Sequence, residues 1–156
     1  MLLELKNEEL KNLLIKEGFP ADKIVLPDEF YAIPTLESIK EFGNRLYDFL
    51  VNNGLSTWKE DSFDCDDFAF TAKSLASIDN ALWQSKTGNT DASLTFGIAF
   101  VLTEYGRHAI NISVLKEGDK FVIKYLEPQI INKGLNRLCL TEIERKSLLE
   151  VYWCYF

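Results

Sequence analysis

Apolar positions recur at two different periods along this chain, and the change comes just past its middle. Leu10, Leu13 and Leu14 lie at helical spacing behind Asn7-Glu8-Glu9, which places Asn7 as an N-cap with two acids in the first turn. Gly18 and Pro20 end that helix. Pro20, Pro27 and Pro34 punctuate residues 19–34 and predict an extended connector. Thr35 then caps a second helix, whose stripe is Leu36, Ile39, Phe42, Leu46, Phe49 and Leu50 and whose stop is Asn52-Asn53-Gly54. A third helix opens in the acidic run 61–67, with Asp64 as N-cap and Asp67 three residues on to complete a capping box. Phe68, Ala69, Ala72, Leu75 and Ala76 share one of its faces.

Beyond the polar loop 86–91 the period shortens. Residues 94–102 read as a buried strand, 105–107 as a turn and 108–115 as a second strand. In the second strand His108, Ile110, Ile112 and Val114 alternate with Ala109, Asn111 and Ser113. Residues 116–120 form a hairpin loop around Gly118, and 121–126 return as a third strand that Glu127-Pro128 closes. Thr141-Glu142-Ile143-Glu144 is placed as the cap of a short helix, and residues 151–156 have strand propensity. The expectation is one α+β domain over 1–156, with N-terminal helices packed on a C-terminal antiparallel sheet.

Composition narrows the function classes. The 156 residues carry 17 basic and 24 acidic side chains, a net charge of −7, and so lack the basic stripe that nucleic acid or an anionic membrane surface would select. No apolar run approaches the ~20 residues of a membrane-spanning helix. The N-terminus lacks the basic start of a secretory signal, and three cysteines (65, 139 and 154) are an odd, widely spaced set. The expectation is a reduced cytoplasmic protein in which Cys139 and Cys154 are structural.

Cys65 differs because it is placed at a helix start, where free N–H groups and the helix dipole favour a thiolate. His108, the single histidine, is placed at the start of a strand, and an imidazole there can take the thiol proton. Glu127 ends the returning strand of the same hairpin, so it falls beside His108 and can accept from the ring. Against this, Asp64, Asp66 and Asp67 put negative charge around the sulfur.

In that order, Cys65-Asp66-Asp67-Phe68-Ala69, His108-Ala109-Ile110-Asn111 and Glu127-Pro128-Gln129 resemble the papain-like cysteine-peptidase superfamily. Its nearest small variety is the peptidase-like domain of certain fungal agglutinins and related phage and bacterial proteins. The resemblance covers residues 61–129 and implies a papain-like fold. It also implies a Cys-His-Glu triad with Cys65 as nucleophile, His108 as base and acid, and Glu127 as the orienting group. The implied function is that of a peptidase or amidohydrolase acting on a peptide or protein substrate, with no required cofactor. The stretch 56–63 lacks the glutamine such enzymes place before the nucleophile, which leaves the helix N–H groups or the indole of Trp58 as oxyanion donors. Calcium is associated with the agglutinin-type domains, and Asp61, Asp64, Asp66 and Asp67 are its candidate ligands. Two rival readings stand beside the enzyme. One is a catalytically silent binding or inhibitory module with a protein partner, and the other is a divalent-cation-binding protein.

Overall fold

The computed structural model describes residues 3–57, 59, 62–88, 92–133 and 136–156. Strand β1 (Glu4–Lys6) runs directly into helix α1 (Asn7–Glu17). Lys6, not Asn7, occupies the N-cap, and its backbone N–H donates to Glu9 Oε2 at 2.8 Å. Asn7 is freed to donate its amide to the carbonyls of Leu26 (3.0 Å) and Asp28 (2.8 Å), which ties the helix start to the segment that follows it.

That segment is more than a connector. It holds a 3-10 turn at Ala21–Lys23, strand β2 (Ile24–Val25) and strand β3 (Phe30–Ala32). Pro20, Pro27 and Pro34 flank these strands without entering them, so no ladder hydrogen bond is lost. Helix α2 (Leu36–Asn52) follows, with Thr35 Oγ1 accepting from the Ser38 N–H at 3.1 Å. Helix α3 (Cys65–Thr87) ends at Gly88 in the left-handed region.

The strands of the second half are β4 (Ser93–Leu94), β5 (Phe96–Thr103), β6 (Gly106–Glu117), β7 (Lys120–Glu127), β8 (Ile131–Lys133), β9 (Asn136–Leu138), β10 (Thr141–Ile143) and β11 (Glu150–Tyr155). The main sheet has the order β10-β7-β6-β5-β11-β2. A three-stranded sheet has the order β1-β3-β4, and β8 and β9 form a separate pair.

Two expectations of architecture are corrected. The sheet is mixed, because β2 lies parallel to β11 and β3 parallel to β4. It is also not confined to the C-terminal half, because β1, β2 and β3 precede the long helices. Both differences have one cause: strands of two or three residues are too short to show a period. Residues 141–143 likewise form β10 against β7, and the short helical turn comes after them at Arg145–Ser147.

The main sheet has a core on each face. Leu10 and Leu14 of α1 pack with Ile110, Ile112, Val114, Tyr125 and Val151 on one side. Ile39, Phe42 and Leu46 of α2 and Phe68 and Ala72 of α3 pack with Phe96, Leu115 and Leu126 on the other. A small cluster of Ala69, Ile98 and Ala109 lies beneath Cys65. The alanines bring α3 close to the sheet and fix the depth at which its first turn sits. No helix among the described residues is long and apolar enough to cross a membrane.

Candidate functional site

Cys65 is the first residue of α3, and its position is set by the cap before it. Asp64 accepts from the Asp66 N–H at 3.3 Å, and Asp67 reaches back to accept from the Asp64 N–H at 3.2 Å. The Cys65 side chain is half-buried and packs with Phe100 against Ala69, Ile98 and Ala109.

His108 and Glu127 come together because β6 and β7 are a tight hairpin. Their register sets Asn111 opposite Leu126, and beyond that pair the strand ends carry His108 and Glu127 to the same corner. His108 Nε2 and Glu127 Oε2 lie 2.6 Å apart, with side chains 23% and 12% exposed. The other Glu127 oxygen accepts from the Gln129 N–H at 3.0 Å, so the carboxylate is held at both ends.

Burial by itself would lower the proton affinity of His108. Hydrogen bonding to Cys65 and Glu127, and the negative charge of both, outweigh it and raise the pKa from 6.5 to about 9. These neighbours favour the protonated ring. Burial pushes Cys139 up to about 12, with the charge of Glu127 adding to it, and burial pushes Cys154 up to about 12.

Asn111 differs from its sequence expectation. It alternates with His108 along β6, which leaves two readings: support of the site, or a side chain facing away from His108 that meets only solvent. It is turned away, but it is fully buried. Its amide donates to the carbonyl of Ala69 at 3.0 Å and to that of Gly97 at 3.0 Å. One side chain thus bridges α3, β5 and β6 a single helical turn from Cys65. The alternation carries the direction, and only the α3 contact reveals the burial.

His108 and Glu127 also line an open cleft of about 490 Å³, in which Cys65 takes no part. Its other walls include Thr103, Glu104, Tyr105, Arg107 and Gln129. Tyr105 is 92% exposed at the tip of the β5–β6 hairpin. The turn is pinned by one hydroxyl: Thr103 Oγ1 accepts from the Tyr105 N–H at 3.2 Å and donates to the Gly106 carbonyl at 3.1 Å. An aromatic ring held in solvent beside planar polar groups is a binding feature, because stacking and hydrogen bonding can act on one ligand together.

Among the described residues the acidic run brings together one group of potential metal-binding atoms. Donor atoms of Asp64, Cys65 and Asp66 lie within 4.8 Å of one another, but a thiol is a soft ligand and calcium takes six to eight oxygens. Asp67 is committed to the cap. A side-chain hydrogen bond with Asp64, then burial and the charges of Asp64 and Asp67, raise the pKa of Asp66. Asp61 and Trp58, the remaining candidates for ion and oxyanion binding, lie outside the described residues.

A family model described as Agglutinin C-terminal matches residues 46–132, more than half of the chain and all of the site just described. The chain belongs to that family. Two solved structures share its fold. One, a PSL1a-E64 complex, is 24% identical with a TM-score of 0.72 over 99% of this chain. The other is Polyporus squamosus lectin bound to the human-type influenza-binding epitope Neu5Acα2-6Galβ1-4GlcNAc; it is 21% identical, with a TM-score of 0.71 over 99% of this chain. This chain spans about half the length of each, 51% and 50%. The comparison with curated proteins found no match.

These findings correct the expected placement. The matching family is an agglutinin one and the shared fold is that of lectin structures, so assignment to the papain-like cysteine-peptidase superfamily does not stand. The papain-like fold class and the peptidase or amidohydrolase function are withdrawn with it. The reason is physical. A thiol at a helix start and a histidine and acid on one hairpin are placements that helix and hairpin geometry supply in many proteins. Three short motifs in that order therefore do not identify a superfamily.

Proposed function

We propose that this chain is a ligand-binding module of the agglutinin type, and that its ligand is a glycan received in the cleft beside His108. The observation that carries the reading is the cleft itself, where the exposed ring of Tyr105 stands beside Arg107, Glu104 and Gln129. A sugar ring can stack on the tyrosine while its hydroxyls bond to the carboxylate and the amide. Arg107 suits an acidic sugar, and the glycan bound to Polyporus squamosus lectin begins with one. No cofactor is needed for such binding.

The direct experiment is calorimetric titration of the protein with Neu5Acα2-6Galβ1-4GlcNAc and with its asialo disaccharide. Saturable binding that Tyr105→Ala and Arg107→Ala each weaken at least several-fold is expected. Absence of heat at millimolar glycan, or binding that neither substitution alters, overturns the reading.

A second reading rests on a different observation, the 2.6 Å pairing of His108 with Glu127 and the influence of Cys65 on the same ring. Here Cys65 is a reactive nucleophile, His108 its proton partner and Glu127 the group that orients the ring. E64, the second component of the PSL1a-E64 complex, is the probe. Mass spectrometry after incubation with E64 or iodoacetamide at pH 7 is expected to find Cys65 modified well ahead of Cys139 and Cys154, and His108→Ala to slow it. Equal rates at the three thiols remove this reading and leave the first intact.

A further inference from the structure

A second cavity, of about 460 Å³, opens where α2 and α3 meet over β4 and the start of β5. Its α3 wall includes Asp79, Asn80 and Trp83, about four to five turns beyond Cys65, and it shares no residue with the Tyr105 cleft. The floor is apolar and fixed. Phe42 and Phe96 are buried there and meet edge to face, with ring centres 5.5 Å apart. Ala76 is buried beside them, and its methyl group is too short to fill the space between the helices. Trp83 stands at the mouth, 38% exposed.

The rim carries three charges, and two of them cancel. Arg45 Nε and Nη2 both donate to Asp79 Oδ2, at 3.0 and 2.8 Å, and the guanidinium lies 5.8 Å from the centre of the Phe42 ring. Glu41 lies one turn before Arg45 on α2, and no basic side chain among the described residues is within ion-pairing distance of it. The rim is left with one uncompensated negative charge. Asn80 adds an acceptor, because its amide nitrogen donates to the Ala92 carbonyl at 3.1 Å and its side-chain oxygen has no partner among the described residues.

We propose that this cavity is a binding site for a small organic cation, an apolar body that carries one protonated amine. The body enters between Phe42, Phe96 and Trp83, where apolar walls replace its water. The ammonium stays at the rim, where Glu41 supplies the opposite charge, Asn80 an acceptor and the indole of Trp83 an electron-rich face. The guanidinium of Arg45 over Phe42 is a cation that the same aromatic floor already holds. An acid of the same shape fits the apolar walls equally well, but its carboxylate meets Glu41 with like charge, so the site selects by repulsion as well as by attraction.

The test is calorimetric titration of the intact protein at pH 7 and low salt with phenylbutylamine and, in parallel, with phenylbutyrate. The amine is expected to bind saturably and several-fold more tightly than the acid. Glu41→Gln is expected to remove most of that difference, and Trp83→Leu to weaken the amine several-fold. Equal affinity for the two probes, no heat at millimolar amine, or amine binding that Glu41→Gln leaves unchanged overturns the proposal. Neither substitution touches the Tyr105 cleft, so failure here leaves the glycan reading standing.

Discussion

At the level of single residues, His108 carries a shift whose effect falls within an accessible pH range. Its folded pKa of about 9 lies above the ordinary 6.5, so its interactions stabilise the fold fully below pH 6.5 and lose that contribution as the pH rises through 9. Glu127→Gln removes the charge but not the shape. It is expected to destabilise the protein by about 1–3 kcal/mol at pH 6, with the difference from the wild type shrinking toward pH 10. Urea unfolding across that range measures it, and a pH-independent difference would contradict the assignment. Asn111 offers a second check. Asn111→Ala removes both bonds by which one side chain ties α3 to the sheet, with an expected cost of about 2–3 kcal/mol by the same measurement. A near-zero cost would mean that water replaces the amide. Of these residues, the partnership of His108 with Glu127 was legible from hairpin arithmetic, because a two-strand return fixes which residues are neighbours. The burial of Asn111 was not, since it depends on which element covers that face.

Among the elements, the long segments were legible and the short ones were not. Thr35, Asp64 and Gly118 mark their boundaries by chemistry that acts within three or four residues, so α2, α3 and the β6–β7 hairpin follow from sequence alone. Strand β2 forms on the edge of β11, and β3 forms between the equally short β1 and β4, so each depends on partners held elsewhere in the chain. The α3 cap gives a local prediction. Asp64→Ala removes the side-chain acceptor of the capping box and is expected to cost about 0.5–2 kcal/mol, with Cys65 becoming more accessible to solvent as the first turn frays. The β5–β11 pairing gives a stricter one. A Cβ on Gly97 would lie 2.4 Å from the Tyr155 carbonyl oxygen and 2.9 Å from the Phe156 ring, and the first of these contacts is backbone. Gly97→Ala is therefore expected to cost about 3 kcal/mol or more and to lower the thermal midpoint by many degrees. A midpoint unchanged by that substitution would place β11 elsewhere.

For the molecule as a whole, the sequence excluded more than it identified. A net charge of −7 disfavours nucleic acid as a partner, and that expectation rests on charge alone. Function did not follow from the chemistry-bearing residues, because a thiol, an imidazole and a carboxylate in one corner define what could react there and not what the protein recognises. The proposed recognition rests on features that look ordinary in a sequence. A tyrosine in a hairpin turn becomes informative only when the structure shows it standing in solvent over a cleft. Whether that cleft holds a glycan is decided by titrating isotope-labelled protein with a panel of acidic and neutral glycans while following its amide spectrum. Saturable shifts confined to residues 103–108 and 127–129 are expected. An unmoved spectrum at millimolar glycan, or shifts centred on another face of the molecule, would contradict the glycan reading.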